Sequence, residues 1–431
     1  MSAQPQGAEK GLSPLLAVNF ADSLGYTIVM PFLVYLVMQW GGDAIVFSLV
    51  SAAFSAFQIM GSPLLGRWSD TWGRKPILLL SEAGSLLSWL LALAAFYVPM
   101  TTLMDVDSSL LGKFTLTLPL LLLFVARSLD GLTGGSVSVA NAYVADISAP
   151  DQLKANFGKL SASANAGEVL GPTLAAVLVG TALGYELPVL AAAAMCFVTV
   201  LLIWFRLPDS QPRVAGVSQA VPGAISVSTG RNGSRCDRLP SVESVLTICR
   251  LPRIFPLLSA AFLVNLAFSI FYIAMPVYVA QELNWSPQKM ALFFAIMSLV
   301  MIIVEGPVLR RVSAVVSDVV LISTGGLVLG LGFMLLDTRL DSTVFAAAVL
   351  IAIGNGLMWP LLVALLSEKA GEQQGAVQGL VGSSGAIASV IGLLLGGILY
   401  GSLQGWLFIV SSNLTFVVML MALWAKRSES R

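Results

Sequence analysis

The sequence predicts an all-α integral membrane protein of two six-helix bundles related by pseudo-two-fold symmetry. Three observations carry that expectation. The 431 residues are 57% hydrophobic and only 11% charged, with mean hydropathy +0.88. Soluble domains carry about 25% charged residues, so water cannot be the solvent for most of this surface. Apolar runs recur twelve times along the chain, each long enough to cross a bilayer core of about 30 Å. The two halves of the chain also repeat one another.

The runs fall at 12–38, 44–66, 76–98, 117–145, 154–180, 186–206, 254–281, 287–309, 317–336, 342–368, 374–402 and 404–425. Strands of a membrane barrel are about ten residues long and alternate apolar with polar, which these runs do not. Between the sixth and seventh runs, 207–252 is rich in Pro, Gly, Ser and Arg and has no long apolar stretch. It reads as a flexible linker joining an N-terminal bundle, 1–206, to a C-terminal bundle, 253–431.

Charge sets the expected orientation. With the N-terminus in the cytoplasm, that side holds Lys10, Arg67, Arg74, Lys75, Lys154, Lys159, seven arginines from Arg206 to Arg253, Arg310, Arg311, Lys369, Lys426, Arg427 and Arg431. The other side holds Lys113, Lys289 and Arg339. The positive-inside rule then places both termini in the cytoplasm. The expectation is a multi-pass protein of the cell membrane, or of an organelle membrane in a eukaryote. Met1 to Gly11 lacks the basic start and cleavage site of a signal peptide, so the first run is expected to persist as a helix.

Composition also excludes functions. With 23 basic and 23 acidic residues the chain has no net field to attract nucleic acid. It has no histidine, so proton chemistry falls to carboxylates, and no nucleophile–base set of an enzyme is visible. Cys196, Cys236 and Cys249 are too scattered for a disulfide framework or a zinc site, so neither a metal nor another cofactor is expected. No G-x4-G-K-[ST] loop is present to bind ATP. The expected partners are the bilayer, a small-molecule substrate and protons, and the expected state is a monomer.

The internal repeat is specific. Met30-Pro31 in the first run recurs as Met275-Pro276 in the seventh, and Trp40 and Trp285 follow at equal intervals. The segment VLGPTLAAVLVG, 169–180, lines up with VIGLLLGGILYG, 390–401. Fused repeats are how many transporters place a site between two bundles that rock against each other.

Four motifs follow. Gly66-Arg-Trp-Ser-Asp70-Thr-Trp-Gly73-Arg74-Lys75-Pro76 joins the second and third helices. Gly66 and Gly73 permit a tight turn, Pro76 suits a first helical turn, and Asp70 is placed to bond Arg74 or cap a helix. The first helix carries Asp22, Gly25, Tyr26 and Pro31, with Asp22 roughly 15 Å deep at about 1.5 Å per residue. In the fourth, Arg127, Asp130, Gly134, Ser138 and Asn141 follow at intervals of three or four, predicting one polar face. Arg127 lies at the level of Asp22, so a bridge between them is allowed; a pair with Asp130, three residues on, is the alternative. The fifth helix has Gly158, Gly167, Gly171 and Pro172, with Glu168 among them. Small residues let backbones approach, and an internal proline bends a helix. Intramembrane ionisable residues are functional by default.

Together these motifs resemble the major facilitator superfamily. The loop is similar to its G-x-x-x-D-x-x-G-R-[KR] signature, and Arg127, Gly131 and Gly134 to its fourth-helix motif. Asp22, Gly25 and Pro31, with the fifth-helix glycines, resemble the twelve-helix drug/proton antiporters, including the tetracycline-efflux branch. VADISAPDQLKANFG, 144–158, continues that likeness. A third-helix aspartate of the tetracycline branch falls at Ser88 here, which argues against tetracycline itself as the substrate. The resemblance implies the major facilitator fold and secondary transport by alternating access. It also implies a gating latch of Gly66, Asp70, Gly73, Arg74 and Lys75. The expected coupling and substrate residues are Asp22, Arg127, Asp130, Glu168, Tyr26 and Asn141. Glu82 lies early in the third helix and is open to either reading, a buried role or the cytoplasmic headgroups; Glu305, beside Arg310, is expected to face the headgroups. Proton-coupled export of an amphipathic solute or drug is the first reading. A facilitator or symporter for a metabolite, and a non-transporting receptor or scaffold, are its rivals.

Overall fold

The computed structural model describes residues 6–108, 112–134, 136–148, 152–209, 254–369 and 374–429. The expected linker, 207–252, lies outside the described residues beyond position 209.

Among the described residues, twelve helices are long and apolar enough to span a membrane. They are α1 (Gly11–Gln39), α2 (Ala44–Trp72), α3 (Arg74–Ala94), α4 (Leu118–Ile147), α5 (Asn156–Val179), α6 (Glu186–Arg206), α7 (Ile254–Gln281), α8 (Pro287–Val312), α9 (Asp318–Thr338), α10 (Asp341–Leu366), α11 (Leu380–Leu403) and α12 (Trp406–Leu423). An even number of spans returns both termini to one face, called the terminal face below.

Local chemistry shapes these helices. The Asp43 carboxylate caps α2, accepting from the backbone N–H groups of Ile45 and Val46 at 3.0 and 2.9 Å. Pro31, with no N–H to donate, sits where α1 tightens into a 3-10 turn at Met30–Phe32. α4 breaks after Thr133 and resumes at Ser136. α8 widens into a π-turn over Val304–Val308, around Glu305 and Pro307.

One feature departs from the all-helical expectation. β1 (Thr102–Ser108) and β2 (Gly112–Thr117) pair antiparallel between α3 and α4, with Asp105 opposite Thr115. Val106 lies between Asp105 and Asp107, and Phe114 and Leu116 alternate with Lys113, Thr115 and Thr117, the short-range pattern of a strand rather than of a loop.

The helices pack in two groups with matching neighbours. In the first, α1 packs on α5 and α6, α3 on α4 and α6, and α2 on α4. In the second, α7 packs on α11 and α12, α9 on α10 and α12, and α8 on α10. Adding six to each number of the first set yields the second. Between the groups, α2 packs on α11 and α5 on α8, a pair of contacts that the same operation exchanges.

The groups are joined at the face away from the termini. Tyr35 Oη donates to the Trp285 carbonyl at 2.9 Å, and Gln288 Nε2 to the Val179 carbonyl at 3.4 Å. There Gly397 of α11 lies against Ser48 of α2 so closely that a side chain would overlap it. Toward the terminal face, a Cβ on Gly158 of α5, Gly306 of α8 or Gly382 of α11 would meet no neighbouring atom within 4 Å. The larger apolar core runs through both groups and takes in Phe32 to Val37 of α1 and Ile273 to Val279 of α7. A smaller core around Leu15, Leu78, Val139 and Tyr143 belongs to the first group alone.

Candidate functional site

Four ionisable residues of the first group come together inside it, Asp22 from α1, Glu82 from α3 and Arg127 and Asp130 from α4, with Thr199 of α6 bonded to Glu82. Arg127 and Asp130 are nearly sealed, at 2% and 6% exposure. Arg127 Nη1 donates to Asp130 Oδ2 at 3.0 Å, and Ser85 Oγ of α3 donates to Asp130 Oδ1 at 2.9 Å. The guanidinium lies 4.4 Å from the Phe54 ring centroid and 5.3 Å from that of Tyr26, within cation–π range. Its cation is thus neutralised along its own helix and covered by aromatic faces.

This corrects the bridge from Arg127 to Asp22. Among the described residues no ion pair reaches Asp22. Its Oδ2 accepts instead from Ser136 Oγ at 3.0 Å. The reason is the break in α4: after Gly134 the helix restarts at Ser136, and the new first turn presents its serine to α1. The same break interrupts the expected polar face of α4. Asn141 lies on the far side of it and is exposed, away from Arg127 and Asp130.

Of the two readings open for Glu82, the structure takes the buried one: it is 1% exposed and lines the same small cavity as Asp22, Asn19 and Ser136. Thr199 Oγ1 of α6 donates to its Oε2 at 2.7 Å. A signal was present: Ser81, Ser85 and Ser88 follow at intervals of four and three around it, a polar stripe that a lipid-facing helix would lack. Asn19 had a comparable signal, three residues before Asp22 on the same face of α1. Its Nδ2 donates to the Leu160 carbonyl at 2.8 Å and to Ser163 Oγ at 3.1 Å, tying α1 to α5.

Glu168 lies apart from this cluster. It is exposed on α5, and its charge reaches Tyr26 of α1, Tyr272 of α7 and Glu305 of α8. Those partners come from both groups, so Glu168 borders the space between them. Glu305 is half-buried in the π-turn of α8. Tyr272, 45% exposed, stacks on Phe294 and adjoins Phe268 and Phe271.

The loop motif forms a compact knot. Gly73 has φ 94° and ψ 158°, a region open in practice only to glycine. That turn delivers Arg74 into the bundle, 8% exposed. Its Nη1 donates to Asp70 Oδ1 at 2.5 Å and to Ser69 Oγ at 2.7 Å, and its Nε to Asp146 Oδ2 at 2.9 Å. Asp146, at the end of α4, was not singled out from the sequence as a partner. Lys75 Nζ reaches the Trp204 carbonyl of α6 at 3.0 Å. Gly66 sits in ordinary contact with Ser138.

The fifth-helix motif divides. A Cβ on Gly167 would strike the Phe20 carbonyl, and one on Gly171 would strike Thr27, so both let α5 lie directly on α1. Thr27 Oγ1, which donates to the Ser23 carbonyl of its own helix at 2.8 Å, lies 3.3 Å from the Gly167 carbonyl across that contact. Pro172 is buried beside them. Gly158 touches no other element.

Comparison with known proteins agrees with this architecture. The family model described as Major Facilitator Superfamily matches residues 15–336 and 306–431. The chain is 33% identical over 193 residues to the tetracycline resistance protein, class D, of Salmonella ordonez, an alignment covering 44% of this chain and 43% of that protein. It is 24% identical over 360 residues to the class E protein of Escherichia coli, covering 83% and 79%. Two solved structures share the fold. The human organic anion transporter MFSD10 (TETRAN) gives a TM-score of 0.64 at 20% identity, covering 97% of this chain and 100% of that one. A D-xylose-proton symporter gives 0.68 at 12% identity, covering 95% and 96%. With twelve spanning helices in two matching groups and a family model covering nearly its whole length, the chain belongs to the Major Facilitator Superfamily.

Proposed function

We propose that this protein is a proton-coupled antiporter that exports a small amphipathic solute by alternating access. The observation that carries the reading is Asp22. It sits mid-helix at membrane depth, and among the described residues it has a serine hydroxyl and no cation as partner. An ionised carboxylate so placed is costly, and a nearby uptake or loss of a proton changes that cost by several kcal/mol. Arg127 is occupied by Asp130 and does not hold Asp22 ionised. Protonation of Asp22 is therefore free to follow the aqueous phase to which the site is open.

The two groups, 1–206 and 253–431, act as the rocking bodies, with the linker between them. With both termini in the cytoplasm, the groups touch on the outer side and separate on the inner one, ready to load solute from the cytoplasm. Glu168, Tyr26 and Tyr272 border the space where solute would bind. The knot around Arg74 serves as the gate, since Asp70 remains exposed for a partner in the alternate state. The resistance proteins among the relatives support export, and with it efflux of drugs of several kinds, over uptake.

The test is reconstitution in liposomes with an imposed pH step and a screen of lipophilic drugs and small organic anions. Wild-type protein is expected to move at least one of them uphill. Asp22→Asn is expected to abolish the gradient-driven component at an unchanged melting temperature. Flux indifferent to the pH step favours a facilitator, and binding without flux favours a scaffold.

A further inference from the structure

We infer that Glu82 is a second proton-binding carboxyl of this protein, and that it shares its proton with Asp22 across the small cavity inside the N-terminal group. The inference deepens the proton-coupling reading, because it adds a member to the same site.

The cavity lies between α1, α3 and the second part of α4, among Asn19, Asp22, Glu82 and Ser136, with Leu15 and Leu78 as apolar walls. It has room for about one water molecule. Glu82 is 1% exposed, and its Oε1 has no hydrogen-bond partner. Buried polar atoms are rarely left in this condition, and each exception calls for an explanation.

The surrounding hydrogen bonds supply one. The hydroxyl of Ser136 is donated to Asp22 Oδ2, and that of Thr199 to Glu82 Oε2. Asn19 gives both its amide hydrogens to α5, at Leu160 and Ser163, which leaves its carbonyl oxygen as an acceptor. The polar lining of the cavity thus consists of acceptors whose donors are spent elsewhere. Such a space calls for a positively charged or donating occupant. A hard metal cation takes six or more oxygen ligands, more than this lining offers. A proton held between two carboxyls, directly or through one water, needs only the pair. Two carboxyls lining one small cavity with no cation between them among the described residues disfavour double ionisation, so the pair titrates as a unit.

Among the described residues no cation intervenes. Glu82 is faced by Asp22 from α1, by Asp130 and the Arg127 paired to it from α4, and by the Cys196 thiol from α6. The ionisable residues of α2 are Arg67 and Asp70, at its far end. The guanidinium closest to the pair already serves Asp130.

The experiment is pH-difference infrared spectroscopy on purified full-length protein, which needs no substrate. Wild type is expected to show the carbonyl band of a buried carboxylic acid that disappears at a defined pH midpoint. Glu82→Gln, isosteric with the neutral acid, is expected to move that midpoint by at least one pH unit, as is Asp22→Asn. The double variant is expected to lack the band. Thr199→Val, which removes the hydroxyl shared between Glu82 Oε2 and the Cys196 carbonyl of its own helix, should shift the band's frequency in a folded protein. A midpoint unchanged by Glu82→Gln, or a band unchanged by Thr199→Val, overturns the pairing. Loss of the band on adding sodium at constant pH overturns it too, in favour of an alkali cation. If the pair titrates as expected while wild-type liposomes show no pH-driven flux, the pair stands and the antiport reading falls.

Discussion

Arg127 and Asp130 form a 3.0 Å ion pair within one helix, with side chains 3% and 8% exposed. The pair withdraws the membrane-embedded cation of α4 from Asp22 and leaves that carboxyl to a serine. Of the three carboxyls that Asp22, Glu82 and Asp130 place inside the first group, only that of Asp130 is paired with the Arg127 guanidinium.

The two members of the pair are expected to respond unequally to removal. Asp130→Asn leaves a guanidinium that cannot lose its proton, and should cost about 3–5 kcal/mol. Arg127→Met leaves a carboxyl that escapes by taking up a proton, and should cost clearly less. Thermal unfolding of the detergent-solubilised variants measures the difference; equal losses would contradict a sealed pair.

Glycines of one motif are expected to behave differently. Gly167→Ala drives a methyl into the Phe20 carbonyl, backbone that cannot swing aside, and should lower the melting temperature sharply. Gly171→Ala strikes first the Thr27 side chain, so adding Thr27→Ala should recover part of its loss. Gly158→Ala has open space and should be neutral or stabilising by up to about 1 kcal/mol, the helix-propensity gain.

At the loop, Gly73→Ala forces a side chain into a conformation that costs about 1–3 kcal/mol. The expected outcome is a loosened turn, weaker contact of Arg74 with Asp146, and faster proteolysis between α2 and α3. A protease time course compared with wild type reads this directly.

Tyr35→Phe deletes the hydrogen bond to the Trp285 carbonyl and nothing else of size. It should cost about 1 kcal/mol of the contact between the groups, roughly a fivefold shift in a two-state balance. Spin labels placed on either side of the face away from the termini should report a larger share of the state open there. An unchanged distance distribution would show that this bond does not bias the balance.

Much of this was legible in the residues. Composition, twelve apolar runs and the Met-Pro repeat determined a membrane-spanning, all-helical, duplicated chain, because lipid allows few other ways to satisfy a buried backbone. The loop glycines and the Asp70–Arg74 pair were legible too, being local in sequence and dictated by a single turn. What only the tertiary structure decided is who partners whom. A polar stripe at helical spacing says that a face is special without saying which helix meets it, and the break in α4 after Thr133 was enough to hand Asp22 to Ser136. Glu82 shows the same limit: depth along a helix can be counted from a sequence, but whether that depth faces lipid or a neighbouring helix depends on rotation about the axis, which distant packing alone determines.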